Sequence, residues 1–272
     1  MSAFSPEISA RALIPKELLG QASSLHFSLQ LHPEFVEVVL SEAAGGEMHW
    51  SQIFSLETIK DDYANAVNFV NDRNWHEKVF RKCTITLDTS EFCVVPKAFF
   101  TPEKAEELLS FHTERKTNKV ESVEIPEIDA VLIFGVPDWS SKVIATFPNA
   151  KFLPSAFLYL KYSKAISSAS TDTINVFHSP SSVVLCIFRE HKLSLLNAYK
   201  ANNEEDVLYH TSNSAMRLGI DFENAILNVF EFNKGESLVN LMKHYNKHVR
   251  HLFPTSAEDK NSFYSNLLVL CA

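Results

Sequence analysis

The sequence is poor in glycine, with 6 in 272 residues, and its 11 prolines fall in no repeat. Collagen-like and linker-like chains are therefore excluded. It lacks any apolar run of spanning length. The longest, at 131–136 and 183–188, have strand length, whereas a membrane-crossing helix needs about 20 residues. Positive charge is in deficit: 25 Lys plus Arg stand against 33 Asp plus Glu, a net charge of −8, which disfavours a broad nucleic-acid footprint. Cysteine is scarce too. Cys83, Cys93, Cys186 and Cys271 form no C-x-x-C pair and no close metal spacing. All but Cys271 lie in apolar segments, where a reduced thiol behaves as a small hydrophobe. Residues 1–20 carry Glu7, Arg11, Lys16 and Glu17 and no apolar signal core. The expected compartment is a reducing cytoplasm, and no cofactor is expected.

Phosphate-binding motifs are missing as well. The only Gly-Gly pair is Gly45-Gly46, with no Gly-Lys-Ser/Thr after it. Neither the dinucleotide fingerprint nor a serine in a G-x-S-x-G setting is present.

What is present is material for a core: 46% hydrophobic residues, 21 of them Phe. Leu25, Phe27, Leu29 and Leu31 alternate with polar positions, which predicts a half-buried strand. His32-Pro33 turns the chain into a second strand at 35–40. Gly45-Gly46 makes a hairpin, since glycine reaches positive φ without a Cβ clash, and leads into a third strand at 47–54. Leu56, Ile59, Tyr63, Ala66, Val67 and Val70 recur at the helical period. A strand pair is predicted at 79–87 and 92–95. Thr101-Pro102-Glu103-Lys104 opens a helix with a cap, a first-turn proline and an acid for the dipole. Phe99-Phe100 is expected to staple that helix to the core. Residues 113–126 read as a solvated loop, and 128–136 as a strand central in its sheet. Asp138 caps a helix to Ala145; a short strand at 151–153 and a helix at 155–166 follow.

The polar stretch Ser167-Ser168-Ala169-Ser170-Thr171 is the internal boundary, dividing the chain into 1–168, with its lead-in, and 169–272. Beyond it the pattern restarts, with strands at 173–178, 182–188 and 192–199, a helix at 204–218, a strand at 225–230 and a helix at 236–246. The order strand-strand-strand-helix-strand thus occurs twice, from 25 and from 173, which argues two α/β halves on one plan. Two such halves, with mixed sheets flanked by helices, are the layout of ribonuclease-H-like and actin-like ATPases.

Several segments together resemble a bacterial, Bacteroidetes-type family, domain-of-unknown-function family 3822. They are Phe27-Ser28-Leu29-Gln30-Leu31, Cys93-Val94-Val95-Pro96-Lys97-Ala98-Phe99-Phe100, Phe134-Gly135 and Phe147-Pro148-Asn149-Ala150-Lys151-Phe152, followed by the strand triplet from 173. The resemblance covers roughly residues 25–230. It implies an actin-like fold similar to cytoplasmic pilus-assembly and type II secretion proteins, and it supplies no catalytic residues.

An actin-like ATPase places an acid beside glycine in the hairpin after the first strand of each half: glycine lets backbone amides approach phosphate, and the acid holds Mg²⁺ through water. Here the first hairpin is Gln30-Leu31-His32-Pro33-Glu34-Phe35 and the second Phe177-His178-Ser179-Pro180-Ser181-Ser182. The first has no glycine, the second neither acid nor glycine. The expectation is a binding or scaffolding module without the usual phosphate loops, a pseudo-ATPase with protein partners and its ligand in the cleft between halves. The alternative is an atypical ATPase or phosphotransferase with Asp138 or Asp172 on the metal. Ser179, Ser181 and Ser182 can bind an anion or form an ordinary polar turn. On a continuous helix His244, His248 and His251 would share one face. Lys243, Lys247 and Arg250 oppose a cation there, so no metal site is assigned; a solvated basic face is the plainer reading. Glu103, Glu106, Glu107 and Glu114 read as a solvated acidic face. No catalytic residue is assigned.

Overall fold

The computed structural model describes residues 14–32, 35–43, 47–55, 75, 78–113, 119–179, 181–231, 236–252 and 267. The expected helix at 56–70 and the glycine hairpin at 45–46 lie outside them. The chain forms two compact units that interleave along the sequence. One comprises Met1–Asp88, Val136–Ser155 and Ala257–Ala272; the other comprises Thr89–Gly135 and Ala156–Ser256.

Thirteen strands are described. In the first unit lie β1 (Leu25–Leu31), β2 (Phe35–Glu42), β3 (Met48–Ser55), β4 (Lys82–Leu87) and β8 (Lys151–Pro154); in the second lie β5 (Phe92–Pro96) and β6 (Lys119–Ile125). β7 (Ala130–Val136) is followed in the second unit by β9 (Thr173–Ser179), β10 (Ser182–Arg189), β11 (Lys192–Lys200), β12 (Ile226–Glu231) and β13 (Val249–His251). The helices are α1 (Lys16–Gly20), α2 (Ala105–Ser110), α3 (Asp138–Thr146), α4 (Ser155–Ile166), α5 (Glu204–Arg217) and α6 (Ser237–Lys243).

Each unit holds a five-stranded mixed sheet of the same order, β3-β2-β1-β4-β8 and β11-β10-β9-β12-β13. In both, the first three strands form an antiparallel meander and the last two run parallel to the first. The repeat read from the sequence is therefore a repeat of topology.

β1 departs from its expected half-burial: all seven of its residues are buried. Leu25, Phe27, Leu29 and Leu31 enter an apolar cluster with Val36, Val38, Ile85 and Phe147. The polar face is buried as well and finds partners on other elements: His26 Nε2 lies 2.8 Å from Thr84 Oγ1, and Gln30 Nε2 donates to Ser155 Oγ at 3.3 Å. The second sheet has a comparable polar pair between its first strand and the parallel neighbour. Asn228 Nδ2 donates to Asn175 Oδ1 at 2.9 Å, and Asn175 Nδ2 to Cys186 O at 3.1 Å. Buried polar atoms need such partners, and supplying them fixes strand register.

β4 and β5 are not a pair, contrary to expectation. β4 lies parallel to β1, whereas β5 joins β7 and β6 in a three-stranded sheet of order β5-β7-β6. β7 is central there and buried throughout, as its apolar run predicts. β6 replaces the end of the expected loop: Val123 and Ile125 flank Glu124 at the strand period, on an edge of the sheet. Before α2 the first turn is a 3-10 turn at Pro102–Lys104, and the Thr101 side chain makes no capping bond. Phe99 is 73% exposed and does not staple that helix; Phe100 packs on the cluster of Cys93, Val95, Leu109, Val131 and Ile133, which includes Leu109 of α2, as expected of a staple.

The β10–β11 hairpin turns on Glu190 (φ 47°) and His191 (φ 65°), both left-handed and neither glycine. Two positive φ values fit the two-residue turn that favours Asn-Gly. Glu190→Asn is expected to raise stability by about 0.5–1 kcal/mol, since asparagine tolerates that region better. Differential scanning calorimetry checks it: an unchanged or lower midpoint would show that Glu190 carries no strain.

Candidate functional site

Ligands of open α/β sheets gather at the carboxyl ends of parallel strands. In each sheet that end carries the hairpin following the first strand, β1 to β2 and β9 to β10. At the first, His32 is 1% exposed and lies flat on Phe35, ring centroids 4.3 Å apart. Its Nε2 stands 3.2 Å from Asp88 Oδ2. His32 N–H donates to Phe35 O at 3.0 Å, and Asp88 N–H to Leu31 O at 2.9 Å. A carboxylate orienting an imidazole is part of many catalytic sites. Here the ring is buried and stacked, so the pair locks the turn and does not face a substrate.

At the second hairpin, Ser179 Oγ donates to Ser182 O at 3.2 Å and lies 2.7 Å from Ser182 Oγ. Ser181 O accepts from Ala201 N–H at 3.2 Å. Of the serines weighed as anion ligands, Ser179 and Ser182 thus bond to one another, and Ser181 is held through its carbonyl. On the other face of the same strand ends, the buried carboxylate of Glu231 sits between two imidazoles. Its Oε1 is 4.0 Å from His178 Nδ1 and its Oε2 is 3.8 Å from His251 Nε2. Both distances exceed hydrogen-bond length. Nearby, Glu204 at the start of α5 accepts from Ser237 Oγ at 2.6 Å. That bond, a backbone amide and the charge of His178 hold the Glu204 carboxyl below the ordinary carboxylate range. Among the described residues no group of three or more His, Cys, Asp or Glu has metal-holding geometry.

The remaining sequence candidates are dispersed. Asp138 is the first residue of α3, after Pro137, and not its cap. Asp172 lies at the start of β9, the end opposite the hairpin, 3.6 Å from Arg189 Nε. The two fall in different units. The expected helix through the three histidines stops at Lys243, so their shared face does not form. His244 follows the helix, His248 N–H donates to Asn246 Oδ1 at 2.7 Å, and His251 belongs to β13. Glu103, Glu106 and Glu107 are exposed as expected, and Glu114 lies outside the described residues. Cys83, Cys93 and Cys186 are free thiols, and burial raises them to about 12, 11 and 12. Cys93 and Cys186 are buried and Cys83 is half-buried, and thiols raised in this way are poor nucleophiles.

Sequence reasoning missed the grouping of His178, Glu231 and His251. Two parallel registers assemble it, Glu231↔His178 and Val229↔His251, and no local motif signals it.

The architecture has known counterparts. A crystal structure from Bacteroides thetaiotaomicron, of a protein with an actin-like ATPase fold and unknown function, is similar with TM-score 0.78 and 16% identity, covering 85% of this chain and 91% of that one. A chain of the PilM-PilN type IV pilus biogenesis complex is similar with TM-score 0.56 and 10% identity, over 90% of this chain and 96% of that one. At these identities the likeness fixes the fold, which is actin-like. No functionally curated protein matches the sequence. Residues 18–249 match the family described as Protein of unknown function (DUF3822), and the chain belongs to that family.

Proposed function

We propose that the protein is a partner-binding module of actin-like fold that does not use nucleotide. The observation carrying this reading is the state of the two hairpins. Where an ATPase needs glycine amides and an acid free for phosphate and Mg²⁺, the first holds a buried His32 tied to Asp88 and Phe35, and the second holds serines bonded to one another. The similar chain in the PilM-PilN complex supports a protein partner, since that fold there belongs to an assembly. The repeated topology supports a functional division near residue 168. The free buried cysteines suit a cytoplasmic setting. Among the described residues no helix is long and apolar enough to cross a membrane.

A thermal-unfolding scan with and without millimolar Mg-ATP tests the reading. No shift is expected. Ligand at 100 times its dissociation constant adds about 2.7 kcal/mol to the native state. At roughly 2–4 °C per kcal/mol a shift of several degrees would overturn the proposal and revive the ATPase alternative.

A further inference from the structure

The second unit presents two sheet edges to one groove. β5 is the edge of the three-stranded sheet and β11 the edge of the second five-stranded sheet. The strands come within 8 Å, Cα to Cα, yet share no ladder. Between them opens a groove of about 550 Å³, walled by Phe92, Val94 and Pro96 on one side and Leu193, Leu195 and Leu196 on the other.

Backbone register shows which groups face it. Gly135 N–H donates to Glu91 O at 2.8 Å and Lys97 N–H to Asp129 O at 2.9 Å. Bonded and non-bonded pairs alternate along an antiparallel ladder. The register Phe92↔Phe134 and Val94↔Leu132 therefore turns the N–H and C=O of Phe92 and Val94 away from β7. On β11, Ala201 N–H donates to Ser181 O at 3.2 Å, so Tyr199 and Asn197 bond to β10. Leu196 and Ala198 then present their N–H and C=O outward. Among the described residues no backbone group pairs with these four on that side.

Edges are normally blunted by charge, proline or a bulge. Of these devices β5, Phe-Cys-Val-Val-Pro, has only the proline, at its last position, and no charge, while β11 keeps its lysines at its two ends and meets a register shift only near its start, opposite Ile187/Phe188. Open rungs over apolar walls are what an added strand uses. Charge narrows the choice of strand. The groove carries Lys164 and Lys192, and its one acid, Glu127, is held 3.1 Å from Lys161 Nζ. In a chain of net charge −8 this lining is locally cationic. Lys164 is also fixed in place: its Nζ donates to His191 O at 2.6 Å, and His191 Nδ1 lies 2.5 Å from Ser167 Oγ.

We propose that this groove captures an extended acidic segment of a partner protein, which adds as a strand to the β11 edge. Its apolar side chains lie against Phe92 and Val94, and its carboxylates near Lys164 and Lys192. The proposal rests on the partner-binding reading above and gives it a site.

The test selects peptides from an unbiased random 12-residue display library on the full chain, in parallel with the double variant Lys164→Glu/Lys192→Glu. Enriched peptides are expected to be acidic and rich in β-branched residues. As free labelled peptides, they should bind the double variant at least about tenfold more weakly by fluorescence anisotropy, the factor that 1.4 kcal/mol carries. Rising salt should weaken them further. N-methylation of alternate peptide amides should abolish binding in one phase and spare it in the other, the signature of a paired strand. Three results would each overturn the proposal: no enrichment over a control protein, binding indifferent to the charge reversal, or binding indifferent to N-methylation in both phases. Self-association that the double variant reverses in sedimentation would overturn it too, assigning the edge to a second copy. The double variant leaves both hairpins intact, so failure here is distinct from failure of the nucleotide-free reading, which the Mg-ATP scan decides.

Discussion

Replacing Phe27 with alanine is expected to destabilise the chain by about 3–5 kcal/mol, the range for emptying an aromatic core position. Phe27 is fully buried and stands where several segments of the first unit meet. Its ring centroid lies 4.8 Å from Phe80, 5.6 Å from Phe147 and 5.8 Å from Trp75. Alanine removes those stacking partners along with the buried area, and aromatic pairs are worth roughly 0.5–1.5 kcal/mol beyond area alone. Close packing leaves little freedom for the site to collapse, because β1 is clamped between β2 and β4 by ladders on both sides. Phe27→Leu retains much of the volume and should cost clearly less. Urea unfolding of both variants gives the comparison. A loss below about 1 kcal/mol for alanine, under half of what a typical large-to-alanine core change costs, would mean that the cluster relaxes around the gap and that β1 is not its centre.

The elements most legible in the sequence are those whose signal is local. The apolar run ending at Val136 became the central strand of its sheet, the segment 155–166 became α4, and the strand triplet from 173 became β9, β10 and β11. Illegible elements are those decided by distant partners. His26, Ser28 and Gln30 alternate with leucines as a solvent face would, yet Ser155 and Thr84 cover that face. The helical spacing of His244, His248 and His251 yields to a parallel pairing of Val249–His251 with β12, a tertiary gain that outweighs local propensity. Of the candidate sites, the sequence disclosed only an absence, glycine missing from both hairpins and an acid from the second. His178, Glu231 and His251 come together through sheet register, and the groove between β5 and β11 through two edges far apart in the chain. Neither leaves a motif, because the residues involved carry no common spacing.

Stability is expected to fall by about 3 kcal/mol as pH is lowered from 6.5 to about 4 through one buried group, His26. The ring is 1% exposed, with Nε2 2.8 Å from Thr84 Oγ1, while among the described residues its Nδ1 has no hydrogen-bond partner. A second proton on that ring would therefore be buried without an acceptor. Burial first, and then the charge of Lys82, which pairs with it across β1 and β4, push the imidazole from 6.5 to about 4. Between those values the unfolded chain binds a proton that the folded chain refuses, so unfolding gains as pH drops. Above 6.5 both states are neutral at this site, and it contributes no slope. His26→Gln keeps a polar group opposite Thr84 and does not titrate. Its unfolding free energy, measured in urea at several pH values from 7.5 to 4.5, should decline less steeply than that of the parent chain. Carboxylates and the other histidines titrate in both chains, so they cancel in the difference. Equal slopes for the two chains would show that His26 is not the group being titrated.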